Sequence, residues 1–130
     1  VSCGVLLITH PGVGHTLLAT ATSLLQRLPL KAQAFEVPLD ADLDALLPLA
    51  KHAMEQITGA EGALLLTDVY GASPANLAAR LAHNGKRVRR VAALNLPMLL
   101  RVMTSAVFEL DALAVIAADG ARNGVIIDDA

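Results

Sequence analysis

A chain of 130 residues, 55% of them hydrophobic, is long enough to bury a core without metal or disulfide staples, and one domain covering the whole chain is expected. Aromatic residues make up only 2%, which leaves Phe35, Tyr70 and Phe108 as the sole candidates for stacking on bases, and a net charge of −2 argues against a broad nucleic-acid or membrane surface. The single cysteine, Cys3, excludes an intrachain disulfide and suits a reducing, cytoplasmic setting. No apolar run approaches the ~20 residues of a membrane span, and the first residues lack the charged-then-apolar layout of a signal peptide.

In chain order, apolar runs alternate with helical patterns. "GVLLIT" reads as a strand buried on both faces. It ends at Thr9 and His10, just ahead of the turn Pro11-Gly12-Val13-Gly14. Leu17, Leu18, Ala21, Leu24, Leu25 and Leu28 then recur at helical spacing and predict a first helix over about Val13 to Arg27. "KAQAFEV" reads as the second strand. Leu43, Leu46, Leu47, Ala50, Met54 and Ile57 mark a second helix, in which Pro48 predicts a kink or a later start. "GALLLTD" is the third strand, and Ser73-Pro74 opens a third helix with Ser73 as its cap. The basic cluster Lys86 to Arg90 reads as a solvated loop entering the fourth strand, "RVAALN". Pro97 starts a fourth helix, Phe108 to Ala118 continues helical, and Gly120 and Gly124 frame a last short strand, "GVIID", and read as the flexible hinge that lets it leave its own subunit.

This alternation predicts an α/β fold, a doubly wound and mainly parallel sheet with helices on both faces. Chemistry in such sheets collects at the carboxyl ends of the strands. Thr9-His10, Thr67-Asp68 and Asn95 are therefore expected on one edge.

That edge has more than one reading. A histidine and an aspartate from neighbouring strand ends can meet, so that the carboxylate fixes the imidazole tautomer and leaves the other nitrogen as an exposed lone pair. The turn "YGASP" after Asp68, with the N-terminus of the third helix, makes an anion site. Nucleophile, orienting carboxylate and anion cradle together suit phosphoryl transfer through phosphohistidine. The bland reading is a histidine paired with a carboxylate for stability alone. A second reading is dinucleotide binding: "GVGHTL" imitates G-x-G-x-x-G, with Glu36 at the distance expected for a ribose-binding acid, but Leu17 replaces the third glycine. A third is a metal site at His10, His15 and Asp68, for which no further His or Cys is placed to complete the ligand set. A receiver domain would need acidic residues at the end of strand one, where this chain has none.

The motifs "GVLLITH", "LLLTDVYGASPANLAARLA" and "LNLPMLLRVM" together resemble the mannose-type enzyme IIA family of the bacterial sugar phosphotransferase system, in order and spacing over essentially the whole chain. The related dihydroxyacetone-kinase phosphotransfer subunit lacks the Ser-Pro-x-Asn pattern. The resemblance implies that His10 is the phosphoacceptor and Asp68 its hydrogen-bonded partner. It implies that Gly71, Ala72 and Ser73 contact the phosphoryl group, and that Thr9 and Asn95 shape the site edge. It further implies phospho-HPr as donor, a separate IIB protein as acceptor, no metal or other cofactor, and a homodimer exchanging a final antiparallel strand, here "GVIID". A regulatory phosphate-sensing module without sugar transport is the alternative role. Two positions depart from the family pattern. Ala72 replaces a second glycine, which restricts the loop if that position needs positive φ. Pro11 follows the histidine and removes a backbone donor near the phosphate.

Overall fold

The computed structural model describes residues 3–83, 87–105 and 109–129. Lys86 of the basic cluster and Phe108, the expected start of the last helix, lie outside the described residues. The elements run β1 (Cys3–Thr9), α1 (Gly14–Leu25), β2 (Ala32–Glu36), α2 (Leu43–Ile57), β3 (Gly62–Thr67), α3 (Ser73–Leu81), β4 (Val88–Val91), α4 (Leu96–Thr104) and α5 (Leu110–Asn123). The strands form one four-stranded sheet in the order β2-β1-β3-β4, and every pairing is parallel.

The central strands β1 and β3 are buried along their whole length, which explains their unbroken apolar runs: a strand covered on both faces has no solvent side to alternate with. Val5, Leu7, Leu64 and Leu66 point to the face covered by α1, α4 and α5, where they pack with Ala21, Met98, Val102, Leu113 and Ala117. Leu6, Ile8 and Leu65 point the other way, against Ala50, Met54 and Ile57 of α2 and Leu77 and Leu81 of α3. Each such Leu or Ile contributes about 1.5–3 kcal/mol by leaving water. The two cores grip the central strands from both sides and hold their C-terminal ends in fixed register.

The strand order also fixes where a site can open. From β1 the chain crosses by α1 to β2 on one side, then returns by α2 to β3 on the other side of β1. The loops leaving β1 and β3 therefore diverge above the sheet, and the gap between them is the switch point at which doubly wound sheets bind.

Several boundaries differ from the sequence reading. α1 begins at Gly14 and stops at Leu25, where Gln26 takes a left-handed φ of 67°. α2 does not start late: Asp42 caps it, its side chain accepting from the Asp44 amide, and Pro48 lies inside the helix. Ser73 is not the cap of α3; Ala72 holds that position without a side-chain bond, and Ser73 is the first helical residue. The fourth strand is Val88–Val91 rather than "RVAALN", so Arg89 and Arg90 belong to the strand and not to the loop before it. Ala93 then turns at φ 71°, and the Leu94 amide reaches the Thr67 carbonyl at 2.9 Å. Asn95 is a helix cap and not a strand end.

The last helix runs on through Gly120 to Asn123. Gly120 is no hinge: a Cβ there would lie 2.9 Å from Arg101 Cβ, so the missing side chain is what lets α5 lie against α4. "GVIID" forms no strand among the described residues, and Val125, Ile126 and Ile127 stand 74%, 76% and 86% exposed. No helix among the described residues is long and apolar enough to cross a membrane.

Candidate functional site

His10 is the first residue past β1, and Asp68 the first past β3. Because Ile8 pairs with Thr67 in the parallel register, His10 and Asp68 fall within one residue of each other along adjacent strands, and both emerge at the switch point. His10 Nδ1 lies 2.9 Å from Asp68 Oδ2, and the backbone amide of His10 donates to the same oxygen at 2.9 Å. The second oxygen, Oδ1, accepts from the Val69 amide at 3.1 Å. The carboxylate is nearly buried, at 10% exposure, while the imidazole keeps 33%. With Nδ1 committed to an acceptor, its proton stays there, and Nε2 carries the lone pair.

Thr9 is fully buried. Its hydroxyl accepts from the Gly14 amide at 2.8 Å and donates to the His10 carbonyl at 2.9 Å, which ties the end of β1 to the start of α1. On the other side of His10, the turn after Asp68 leads into α3. Gly71 adopts φ 86°, a left-handed conformation that a Cβ would strain. Ala72 holds φ −88°. The freedom expected to be lost at Ala72 is therefore not needed there; the position that requires glycine is Gly71, which has it. Ser73 follows at the first position of α3, with Pro74 behind it.

Asn95 is placed differently. Its Oδ1 accepts from the Met98 amide at 2.8 Å and its Nδ2 donates to the Ala121 carbonyl at 3.3 Å. Both bonds run to α4 and α5 rather than to His10 or Asp68.

Glu36, whose spacing to the glycine turn fits a ribose-binding acid, ends β2. Its Oε1 accepts from the Gly12 amide at 3.0 Å, and its Oε2 accepts from the His15 amide at 3.1 Å and lies 3.0 Å from His15 Nδ1. The Gly12 and His15 amides, with the His15 ring after them, hold the Glu36 carboxyl below its ordinary value. This arrangement excludes the dinucleotide reading in this conformation. The amides that a pyrophosphate would need are bonded to Glu36 and to Thr9, and the proposed ribose acid is one of their partners. It also separates His15 from the metal reading, since His15 faces Glu36 and not Asp68. Among the described residues no group of three His, Cys, Asp or Glu side chains is placed to hold a metal ion.

The fold and site thus define a doubly wound α/β protein with a carboxylate-oriented histidine at its switch point. Residues 4–118 match the family model EIIA-man, described as the fructose IIA component of the PTS system, and the chain belongs to that family. Among solved structures, the mannose/sorbose-specific IIA subunit of the phosphotransferase system from Enterococcus faecalis is similar with a TM-score of 0.88 at 22% identity, covering 100% of this chain and 97% of its own. The phosphotransferase system component EIIA from Streptococcus agalactiae gives 0.83 at 16% identity, covering 96% of each chain. The PTS IIA protein associated with the fucose utilization operon of Streptococcus pneumoniae gives 0.79 at 18%, covering 97% of this chain and 93% of its own. At these identities the likeness establishes the fold. No curated protein sequence matches.

Proposed function

We propose that the protein is a phosphoryl carrier of the sugar phosphotransferase system, with His10 as phosphoacceptor, phospho-HPr as donor and a separate cytoplasmic IIB protein as acceptor. The observation that carries this reading is the bond between His10 Nδ1 and Asp68 Oδ2, at 2.9 Å. The lone pair of His10 Nε2 attacks the phosphorus held on the donor's histidine. The N–P bond of the donor breaks as the new N–P bond forms, and the donor imidazole leaves with the electron pair. His10 becomes a cationic phosphoimidazole whose Nδ1–H remains bonded to Asp68, so the carboxylate stabilises the charge that develops on the ring. Transfer to the IIB protein is the same displacement in reverse sense, with His10 as leaving group. The turn Tyr70–Ser73, where Gly71 sits at φ 86°, and the N-terminus of α3 supply amide donors for the phosphoryl oxygens.

The same reading makes the molecule a homodimer in which residues 125–128 of each protomer add to the other's sheet. It is supported by β4 being one of the sheet's two edge strands, by the exposure of Val125, Ile126 and Ile127, and by a cavity of about 280 Å³ between α3 and β4 lined by Tyr70, Ala75, Ala78 and Arg90 among others.

The test is incubation with enzyme I, HPr and phosphoenolpyruvate, read by intact mass. One phosphoryl group is expected, labile in acid and stable in base, and absent in His10→Ala. An acid-stable adduct overturns the reading. Labelling that persists in His10→Ala moves the acceptor elsewhere, with His15 the first residue to examine.

A further inference from the structure

The three residues Pro11–Val13 that join His10 to α1, and the first helical residues Gly14 and His15, are held largely through their backbone amides. Pro11 has no amide to give. The Gly12 amide donates to Glu36 Oε1 at 3.0 Å, the Val13 amide to the His10 carbonyl at 3.3 Å, the Gly14 amide to the Thr9 hydroxyl at 2.8 Å and the His15 amide to Glu36 Oε2 at 3.1 Å. Val13, the residue at the cap position of α1, makes no side-chain cap bond. Glu36 does that work from a neighbouring strand: it stands opposite Thr9 in the β1–β2 register, and the His15 ring closes over its Oε2 at 3.0 Å. The carboxylate therefore pins both ends of the loop immediately after His10. It also places a fixed negative charge on the β2 side of the histidine, while the turn leading into α3 lies on the β3 side.

We propose that Glu36 is a positioning residue for His10: by clamping the Gly12 and His15 amides it fixes the loop that aims the ring, and by filling the N-terminus of α1 it directs the phosphoryl group to the α3 side. This rests on the carrier reading above. Glu36 does not touch the phosphoryl group; it acts through the loop. A group held only by packing would drift when one partner is lost, and small misplacements of a reacting atom are costly in rate.

The experiment compares the intact protein with Glu36→Gln and Glu36→Ala in rapid-mixing transfer from phospho-HPr at varied donor concentration, beside amide proton–nitrogen spectra of each. The expected result is a maximal transfer rate lower by about tenfold in Glu36→Ala and by a smaller factor in Glu36→Gln, which keeps one acceptor oxygen. The half-saturating donor concentration stays unchanged. The Gly12 and His15 amide protons move upfield, while those of His10 and Val69, bonded to Asp68, keep their positions. Loss of rate in a variant that gives a folded spectrum separates aim from stability, and Glu36→Gln serves if Glu36→Ala does not fold. An unchanged maximal rate overturns the proposal. So does a raised half-saturating concentration at full maximal rate, which would make Glu36 part of the donor's docking surface. If the unaltered protein accepts nothing from phospho-HPr, the carrier reading fails instead. The same variants are then compared with potassium phosphoramidate as small-molecule donor: equal labelling of His10 in all three, or Gly12 and His15 amides that do not move, overturns the clamp.

Discussion

One oxygen of Asp68, Oδ2, receives both the backbone amide and Nδ1 of His10, each at 2.9 Å. The double attachment matters because it couples ring and backbone to a single acceptor. The imidazole cannot rotate away from Oδ2 without giving up a charge-assisted bond, and the strand end cannot slide without disturbing the ring. A bond from the Val69 amide to the other oxygen holds the carboxylate in turn.

Replacing Asp68 by Asn is expected to leave the fold intact and slow transfer. The amide keeps one acceptor oxygen but could not offset the positive charge that the proposed phosphorylation would place on the ring. A charge-assisted bond contributes about 1.5–3 kcal/mol, so the transfer rate should fall by about 10- to 100-fold. Rapid-mixing kinetics beside a thermal melt checks this; unchanged kinetics would make Asp68 a bystander.

The turn after Asp68 yields a paired prediction. Gly71→Ala puts a Cβ on a residue at φ 86°. No heavy atom lies within 4 Å of that Cβ, so only backbone strain opposes it. A loss of about 1–2 kcal/mol is expected. Ala72→Gly, at the cap position of α3 with φ −88°, relieves no strain; its chain-entropy cost of less than about 1 kcal/mol is offset by glycine being the better cap residue, so little net change is expected. Urea denaturation of the two variants tests the order, and a larger loss for Ala72→Gly would refute it.

Much of this site was legible in the sequence because its parts sit at the ends of the two most apolar runs. "GVLLIT" and "GALLLT" are continuous for the reason that both faces are covered, so their ends could be placed to within a residue, and His10 and Asp68 followed from that. β4 was not legible in the same way. It is an edge strand whose residues Arg89 and Arg90 are exposed, and Arg89 pairs with Asp111 of α5 at 2.8 Å. The more apolar "VAALN" after it attracted the strand reading, and the left-handed Ala93 that ends the extended path carries no glycine to announce it. Glu36 was noticed, but for the wrong chemistry. Its spacing to the glycines fitted a ribose acid, whereas it caps a helix that lacks a capping side chain of its own. An acidic strand end beside an uncapped helix start was the available signal. Gly120 misled in the opposite sense: a glycine that serves close helix packing looks the same in sequence as one that serves a hinge.

Glu36 also predicts an acid dependence. Its folded carboxyl lies below the ordinary value, held there by the Gly12 and His15 amides. A depressed carboxyl contributes stability that is fully present above the unfolded pKa and lost as pH falls through the folded one. The stability difference between the unaltered protein and Glu36→Gln should therefore be constant near neutral pH. It should shrink as pH falls through and below the ordinary carboxylate range. Denaturant melts at a series of pH values decide this; a difference that widens in acid would contradict the bonding at Glu36.

The helix pair α4–α5 offers a packing test. A Cβ at Gly120 would meet Arg101 Cβ at 2.9 Å and the Met98 backbone at 3.4 Å. Gly120→Ala must push α5 outward despite the better helix propensity of alanine, and overpacking of this kind costs about 1–3 kcal/mol. If Gly120→Ala instead raises the melting temperature, the helices are less closely held than their contact implies.

The apolar tail bears on the dimer proposed above. Val125, Ile126 and Ile127 are exposed over most of their surface, an unfavourable state for three consecutive apolar residues in water. The outer edge of β4 lies beside a cavity between α3 and β4, and an outermost strand presents unpaired backbone groups to any incoming segment. If residues 125–128 of one protomer pair with β4 of the other, both deficits are met at once, and the exchange is symmetric because each protomer offers the same tail and the same edge. Burying each of these side chains would contribute about 1.5–3 kcal/mol, enough together to hold a dimer at micromolar concentration. Light scattering on the full chain and on a chain ending at Asn123 is the measurement. The full chain should be dimeric and the shortened one monomeric, with its remaining fold preserved by circular dichroism because the two cores do not include residues 125–128. A full-length monomer at that concentration, or a shortened chain that dimerises equally well, would refute the exchange and leave the apolar tail to some other surface.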